Sequence, residues 1–360
     1  MKFLNNFLIA CLLLLLALGG CAPAAQPVTT PTPVTLTVMT HDSFAISQAI
    51  VQAFEEENQV QVVFLKSGDT GAALNRAILT KESPEADVFY GVDNTFLSRA
   101  IQEGIFEPYT SPLLENIPDS FKNSLSGMVA PIDYGDVCIN YDRAWFAARG
   151  LEAPQSLDDL LLPEYGGKEG EGLLAVENPA TSSPGLAFLL TTIAQYGEEG
   201  YLDYWQALKA NGVVVVNDWE TAYYTNFSAS SGKGAQPMVV SYATSPVAEV
   251  IYASSPLSEA PTASITAPAT CFRQIEYAGI LKGTSHLDLA QRWIDFMLSP
   301  RFQEDLPLQN FVFPVNPTAV LPEEFVKYAS VAEEPAMLDP VLIANRRDQW
   351  IRDWDRVMKQ

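Results

Sequence analysis

The sequence predicts an α/β fold arranged in two lobes. Short β-rich runs alternate with loops and helical patterns along most of the chain, the signature of sheets flanked by helices. At 360 residues the chain is longer than a single core usually serves. Its hydrophobic share, 48%, fills one large core or two medium ones.

The N-terminus reads as an address. Lys2 gives a positive start, and Phe7 to Leu18 is a continuous apolar run. A permanent bilayer span needs roughly 20 apolar residues, so this run is a secretory h-region. Leu18-Gly19-Gly20-Cys21 resembles the bacterial lipoprotein lipobox, which implies cleavage before Cys21 and a lipid on its thiol. A plain signal peptide with a chance cysteine is the alternative. Residues 1–20 are therefore expected to be a lipoprotein signal peptide. Residues 21–34 hold Pro23, Pro27, Pro31 and Pro33 among Thr and Ala and are expected to be an extended tether. Once Cys11 is removed and Cys21 lipidated, Cys138 and Cys271 remain. An even pair in an exported chain invites a disulfide, with two buried free thiols as the alternative.

The elements follow in order. Thr35 to Met39 is a strand that runs into His41-Asp42-Ser43-Phe44. Ile46, Ala49, Ile50 and Phe54 recur at helical spacing, with Asp42 or Ser43 as N-cap. Val60 to Leu65 is a strand, Ser67 to Gly71 a turn, and Ala72 to Leu79 a helix. Ala86 to Tyr90 is a third strand, ending at Gly91-Val92-Asp93-Asn94 before a helix over Phe96 to Gln102. This alternation predicts a mostly parallel sheet, whose ligands sit on the loops at the strands' carboxyl ends. Strands follow at Asp136 to Tyr141, Leu173 to Val176, Val213 to Val216, Met238 to Tyr242 and Ile275 to Ile280. Ser183 as cap with Pro184 at the first helical position starts a helix over Leu186 to Ile193. Leu289, Trp293, Ile294 and Met297 mark another, closed by Ser299-Pro300. Trp350, Ile351, Trp354 and Val357 form the apolar stripe of a terminal helix packed on the body. The glycine-rich run from Gly166 to Gly172 lacks the strand–helix context of a phosphate loop and reads as a surface turn.

Charge and motifs narrow the function. Acidic residues number 43 against 21 basic ones, a net charge of −22, and nucleic-acid binding requires the opposite balance. Two histidines and four cysteines are too few for most zinc or iron–sulfur sites. No nucleophile elbow, zinc-protease helix or P-loop occurs, and neither His41 nor His286 lies near a nucleophile, so an enzyme is not expected. The loops carry the informative chemistry. Thr181-Ser182-Ser183 at a helix start, and Thr70-Gly71 at another, offer hydroxyls and free N–H groups to an anion; ordinary capping is the competing explanation. Tyr134, Trp219, Tyr223, Tyr224, Tyr242 and Phe311 fall at loop positions, where two or three rings can form a cage for a flat or cationic group. Asp42, Asp69, Asp93 and Asp133 stand at strand ends, as cation partners or as caps.

With these residues in view, the chain resembles the thiamine-binding periplasmic components of ABC importers, within the type II solute-binding proteins. The likeness runs over residues 35–360. It rests on Asp42-Ser43-Phe44, Leu74-Asn75-Arg76, Ala86-Asp87-Val88 with Gly91-Val92-Asp93-Asn94, Asp133-Tyr134-Gly135 with Tyr141-Asp142, Thr181 to Leu186, Trp219 to Tyr223, Ser241 to Pro246, Gln274-Ile275-Glu276 and Phe313-Pro314-Val315. The resemblance implies a two-lobed periplasmic-binding-protein-like fold, mixed sheets flanked by helices, and a ligand cleft between lobes. Lobe 1 is expected over 35–137 and 272–312, lobe 2 over 138–271 and 313–360. It also implies an extracytoplasmic lipoprotein, held to the membrane by its lipid, that hands thiamine, thiamine phosphate or thiamine diphosphate to a permease with its ATPase. No cofactor is implied. The Asp69-Thr70 turn, Ser182 and Trp219 match positions that hold the phosphate end, Tyr242 matches the ring-binding wall, and Phe311 a stacking aromatic. Together with the loop chemistry, the candidate contacts are Asp42, Asp69, Thr70, Gly71, Tyr134, Thr181, Ser182, Trp219, Tyr223, Tyr242 and Phe311. Phe311 stands where the family has tryptophan, Ala248 where it has a second stacking tyrosine, and His41 where it has tyrosine; Tyr223 or Tyr224 is the expected substitute for a missing ring. A ferric-iron binder of the same fold, suggested by the adjacent phenols of Tyr223 and Tyr224, and a binder of a polyamine or phosphorylated metabolite are the rival readings.

Overall fold

The computed structural model describes residues 34–122, 127–168, 171–229 and 234–359. The expected leader, Cys21 and the tether up to Pro33 lie outside the described residues, as do residues 169–170 of the glycine-rich turn.

The first half alternates as expected: β1 (Val34–Thr40), α1 (Gln48–Asn58), β2 (Val60–Lys66), α2 (Thr70–Leu79), β3 (Val88–Asp93), α3 (Leu97–Gln102) and the short β4 (Phe106–Glu107). β5 (Ala130–Asp142) then carries the chain across to α4 (Arg143–Arg149), β6 (Leu174–Glu177), α5 (Ser183–Ala210), β7 (Val214–Val216), β8 (Met238–Tyr242), α6 (Ser245–Ile251) and β9 (Thr262–Ile265). β10 (Phe272–Leu281) returns it to α7 (Leu287–Leu298), α8 (Pro300–Gln303) and α9 (Leu306–Gln309). β11 (Phe313–Pro314), α10 (Glu323–Tyr328) and α11 (Pro340–Lys359) finish the chain.

The sheet order is β2-β1-β3-β10-β5-β8-β6-β7, so the two crossing strands sit side by side at its centre. β1 pairs β2 and β3 in parallel on one wing, and β6 pairs β7 and β8 in parallel on the other. β10 and β5 run antiparallel to each other and to their outer neighbours β3 and β8. Each wing is therefore parallel, as the alternation implies, and the junction makes the whole sheet mixed.

Strand periodicity sorts the core. Leu36 and Val38 of β1 join Phe54 of α1 and Trp293 and Met297 of α7 in one apolar cluster. Met39, one residue on, faces the opposite cluster with Leu74, Leu186, Trp205, Trp350 and Trp354. The terminal stripe thus packs on the body, with Trp354 edge-on to Trp205 at 5.5 Å.

Three expectations need correction. α1 is capped at Ser47, not at Asp42 or Ser43, because the preceding segment is tied elsewhere: Ser47 N donates to Asp305 Oδ2 (2.7 Å) and Ala45 N to Asn310 Oδ1 (3.3 Å). α5 begins one residue earlier than expected, with Ser182 as cap and Ser183 inside the helix. It also continues to Ala210 past Gly197, whose φ of 72° breaks the geometry there; Tyr196-Gly197 reads locally as an end, but Trp205 packs against Phe188 and donates Nε1 to Thr192 Oγ1 (2.9 Å).

Cys138 and Cys271 are bonded, 133 residues apart in sequence. Their neighbours Val137 and Phe272 are partners in the β5–β10 ladder, so the bridge staples the two crossing strands. Replacing both cysteines by serine is expected to lower the unfolding free energy by about 2–5 kcal/mol, read as a fall in melting temperature. A melting curve indifferent to the substitution and to reductant contradicts the bridge.

Candidate functional site

A cavity of about 220 Å³ opens among the loops at the strand ends. His41 to Ala45, after β1, and Lys66, at the end of β2, line it from one wing. Trp219, Glu220, Tyr223, Tyr224, Tyr242, Ser245, Ala248 and Tyr252 line it from the other. Glu276 of β10 and the segment Gln309 to Val312 complete the wall. Of the expected contacts, Asp42, Trp219, Tyr223, Tyr242 and Phe311 are brought together here.

The aromatic side is held rigidly. Trp219 stacks on Tyr223 at 5.0 Å with ring planes 19° apart, and meets Tyr242 edge-on at 6.4 Å. Trp219 Nε1 donates to Ser241 Oγ (2.9 Å), and Tyr242 Oη to Gln274 Oε1 (3.2 Å). Tyr223 is fully buried and donates its hydroxyl to Glu249 Oε1 (2.6 Å), so it braces Trp219 from behind. Burial, then the neighbouring Glu249, pushes the Tyr223 phenol well up, which opposes an iron-binding phenolate. Its ring is also turned 84° from that of Tyr224. Among the described residues no group of three or more His, Cys, Asp or Glu side chains is placed to hold a metal ion.

Phe311 sits opposite with φ at 53°, a left-handed backbone that a bulky residue rarely adopts and that functional sites often retain. Its ring meets Tyr252 edge-on at 5.7 Å. Tyr252 follows Ala248 by four residues, one helical turn, so a ring from the next turn stands at the cavity where the stacking tyrosine is absent. Sequence reasoning missed it because only Tyr223 and Tyr224 were weighed as substitutes.

The expected anion pocket is occupied by the protein itself. Asp69 Oδ1 accepts from Thr70 N (2.7 Å) and Ser183 N (3.4 Å), and Oδ2 from Trp219 N (3.1 Å). The Ser182 hydroxyl is a further donor to this carboxyl, whose pKa burial nevertheless raises. A Cβ on Gly71 would lie 2.8 Å from the Thr181 carbonyl, so the two wings touch directly at this end. Thr181 gives its hydroxyl to Asn217 O (2.7 Å). Asp69, Thr70, Gly71, Thr181 and Ser182 thus form an inter-wing clasp outside the cavity wall. Tyr134 also lies off the wall. β5 alternates, so Asp133 faces the cleft floor while Tyr134 stacks on Phe313 at 5.3 Å on the other side.

That floor is acidic and buried. Tyr90 Oη donates to Asp133 Oδ2 (2.5 Å) and lies 3.2 Å from Glu276 Oε2. His41 Nε2 stands 3.5 Å from Glu276 Oε1 without a hydrogen-bond partner, while Nδ1 meets Ser43 Oγ at 2.8 Å. Gly91 is required beneath it: its φ is 101°, and a Cβ there would approach the His41 ring to 2.6 Å. Burial, then Lys66, lowers His41 to about 4, so it is neutral at neutral pH. Burial pushes Asp133 and Asp93 up to about 7 and Glu276 well above the usual range, the last helped by the charge of Asp133. Glu276 was readable in principle: an acid inside an apolar, ten-residue strand is rare without a purpose.

Comparison with known proteins matches this geometry. The family model described as bacterial extracellular solute-binding protein matches residues 83–331. The thiamine-binding periplasmic protein of Brucella suis biovar 1 is 30% identical over 346 residues, covering 94% of this chain and 95% of that protein. The solved structure titled periplasmic thiamin binding protein superposes with a TM-score of 0.80 at 27% identity, over 92% of this chain and 98% of the other. The ferric binding protein from Campylobacter jejuni shares the fold at 18% identity, with a TM-score of 0.71 over 89% of this chain and 99% of the other. A two-winged α/β body, a cleft walled by rings from both sides and this match over most of the chain lead to one conclusion: the chain belongs to the bacterial extracellular solute-binding proteins, which bind rather than transform their ligands.

Proposed function

We propose that the protein is the receptor of an ABC importer for thiamine, thiamine phosphate or thiamine diphosphate. In this reading it is exported, anchored outside the cytoplasmic membrane by a lipid on Cys21, and passes its ligand to a permease with its ATPase. The observation that carries the reading is the composition of the cavity wall: fixed aromatic rings on both sides above a buried carboxyl floor. Thiamine presents a flat aminopyrimidine, a permanently positive thiazolium and a hydroxyl or phosphate tail. Rings suit the first two and carboxylates the second. The names of the relatives described above support the same ligand. The lobes proposed are 35–137 with 272–312 and 138–271 with 313–360, closing on the ligand so that water leaves both ring faces and polar contacts strengthen.

Calorimetry with thiamine, its two phosphates and spermidine tests the reading. Heat is expected with the thiamine forms, and a flat trace for all of them rejects it. Phe311→Ala removes one stacking contact of about 0.5–2 kcal/mol. The expected rise in Kd is about 2- to 30-fold, with the melting temperature of the empty protein little changed. An unaltered Kd places the ligand elsewhere.

A phosphate tail meets Asp69 at the start of α5. The carboxylate already fills the position an anion takes there, so tail and Asp69 compete. Asp69→Asn is expected to raise the affinity for thiamine diphosphate relative to thiamine by about tenfold, one charge repulsion being of order 1.4 kcal/mol in such a site. An unchanged ratio of the two affinities removes Asp69 from the account of the tail.

A further inference from the structure

The cavity floor holds more acceptors than donors. Asp133 and Glu276 are cross-strand partners on β5 and β10, their carboxyl groups adjoin, and both are buried. Ionised carboxylates only accept hydrogen bonds, and the hydroxyl of Tyr90 is the donor set between them. Asp133 Oδ1 has no hydrogen-bond partner. Two ionised carboxylates in contact away from water repel strongly, so the empty cleft keeps a proton between them.

The surrounding elements do not supply the missing positive charge. From the loop after β1, His41 is neutral, and its unpartnered Nε2 is buried at the cavity wall beside Glu276. β2 contributes Lys66 at the rim, where it donates to the Asp42 carbonyl (2.6 Å). β3 contributes Tyr90 and Asp93, the latter an added negative neighbour when ionised. β8 contributes the phenol of Tyr242, β10 the neutral Gln274, and the segment after α9 contributes Asn310, which donates to Tyr90 Oη (3.2 Å). On the Asp93 side the buried guanidinium of Arg347 is held by Asp348 and the Phe96 carbonyl. The floor is one cation short, and Glu276 is its member on the cavity wall.

We propose that Glu276 is the specificity-determining counter-ion of the site: a cationic ligand takes the place of the proton that Glu276 and Asp133 share, and binding releases that proton to solvent. The balance is one ligand cation in and one proton out, with the net charge of the buried site unchanged. A neutral flat ring leaves the proton in place and gains no charge contact, so the exchange selects cations from other flat molecules of similar size. The buried carboxyls bind protons more tightly in the empty cleft than in the filled one. The linkage sign follows: affinity for a cation rises with pH, by about tenfold per pH unit at full coupling, between the pKa of the filled site and that of the empty one.

The inference rests on the thiamine reading for its probe. Calorimetry of the full mature protein with thiamine, in two buffers of different ionisation heat near neutral pH, counts protons. The range chosen lies above that in which the aminopyrimidine itself takes up a proton. Close to one proton released per thiamine is expected, with Kd falling as pH rises. Glu276→Gln is expected to bind thiamine about tenfold or more weakly, with no proton release and a flat pH profile. If that variant does not fold, the proton count on the unmodified protein still decides. Thiamine binding with no proton exchange and no pH dependence overturns the inference and leaves the thiamine reading intact. Absence of heat at every pH overturns the thiamine reading, and the inference with it.

Discussion

The pairing of β5 with β10 is the interaction on which the rest depends. These two antiparallel strands are the centre of the sheet, each joined on its outer side to one wing. Their register sets Glu276 opposite Asp133 and brings Cys271 within bonding reach of Cys138. Because side chains alternate along a strand, a slip of one residue would send both acids to the opposite face. The same ladder therefore fixes the mechanical junction, the covalent staple and the chemistry of the cleft floor. Outer strands add to this by delivering their loops, at parallel carboxyl ends, to the rim of one cavity.

The two ends of the cleft answer different demands. At the clasp, the free N–H groups at the start of α5 and at Trp219 are satisfied by Asp69, an anion the protein carries itself. At the floor, buried carboxyls face an open space with no cation of their own. One end is complete without ligand and the other is not. A ligand shifts a conformational equilibrium only through contacts that differ between states, and the incomplete end is where such a difference is largest.

Much of this was legible in the chain. Period-two and helical patterns place nearly every strand and helix, and the even cysteine pair anticipates the bridge. Trp219, Tyr242, Phe311, Tyr223 and Asp42 were readable as site residues because they sit on loops that leave strand ends. What the sequence hides is direction and partnership. Asp133-Tyr134-Gly135 looks like a loop, yet it is the middle of a thirteen-residue strand whose alternation buries Asp133 toward the cleft and turns Tyr134 away. The Thr181-Ser182-Ser183 turn has the chemistry of an anion site, but nothing local reveals that Asp69, over a hundred residues earlier, arrives to occupy it. Tyr252 compensates for Ala248 only once α6 is known to carry both toward the same cavity.

The central claim is that a flat cation lies between the rings of the two wings with its charge over Glu276. A crystal structure of the protein grown with thiamine tests it most directly. The account predicts the ligand's rings between Phe311 with Tyr252 and Trp219 with Tyr242, and its positive centre within salt-bridge distance of the Glu276 carboxylate. Thiamine bound outside this cavity, or within it with its charge turned away from Glu276, contradicts the account.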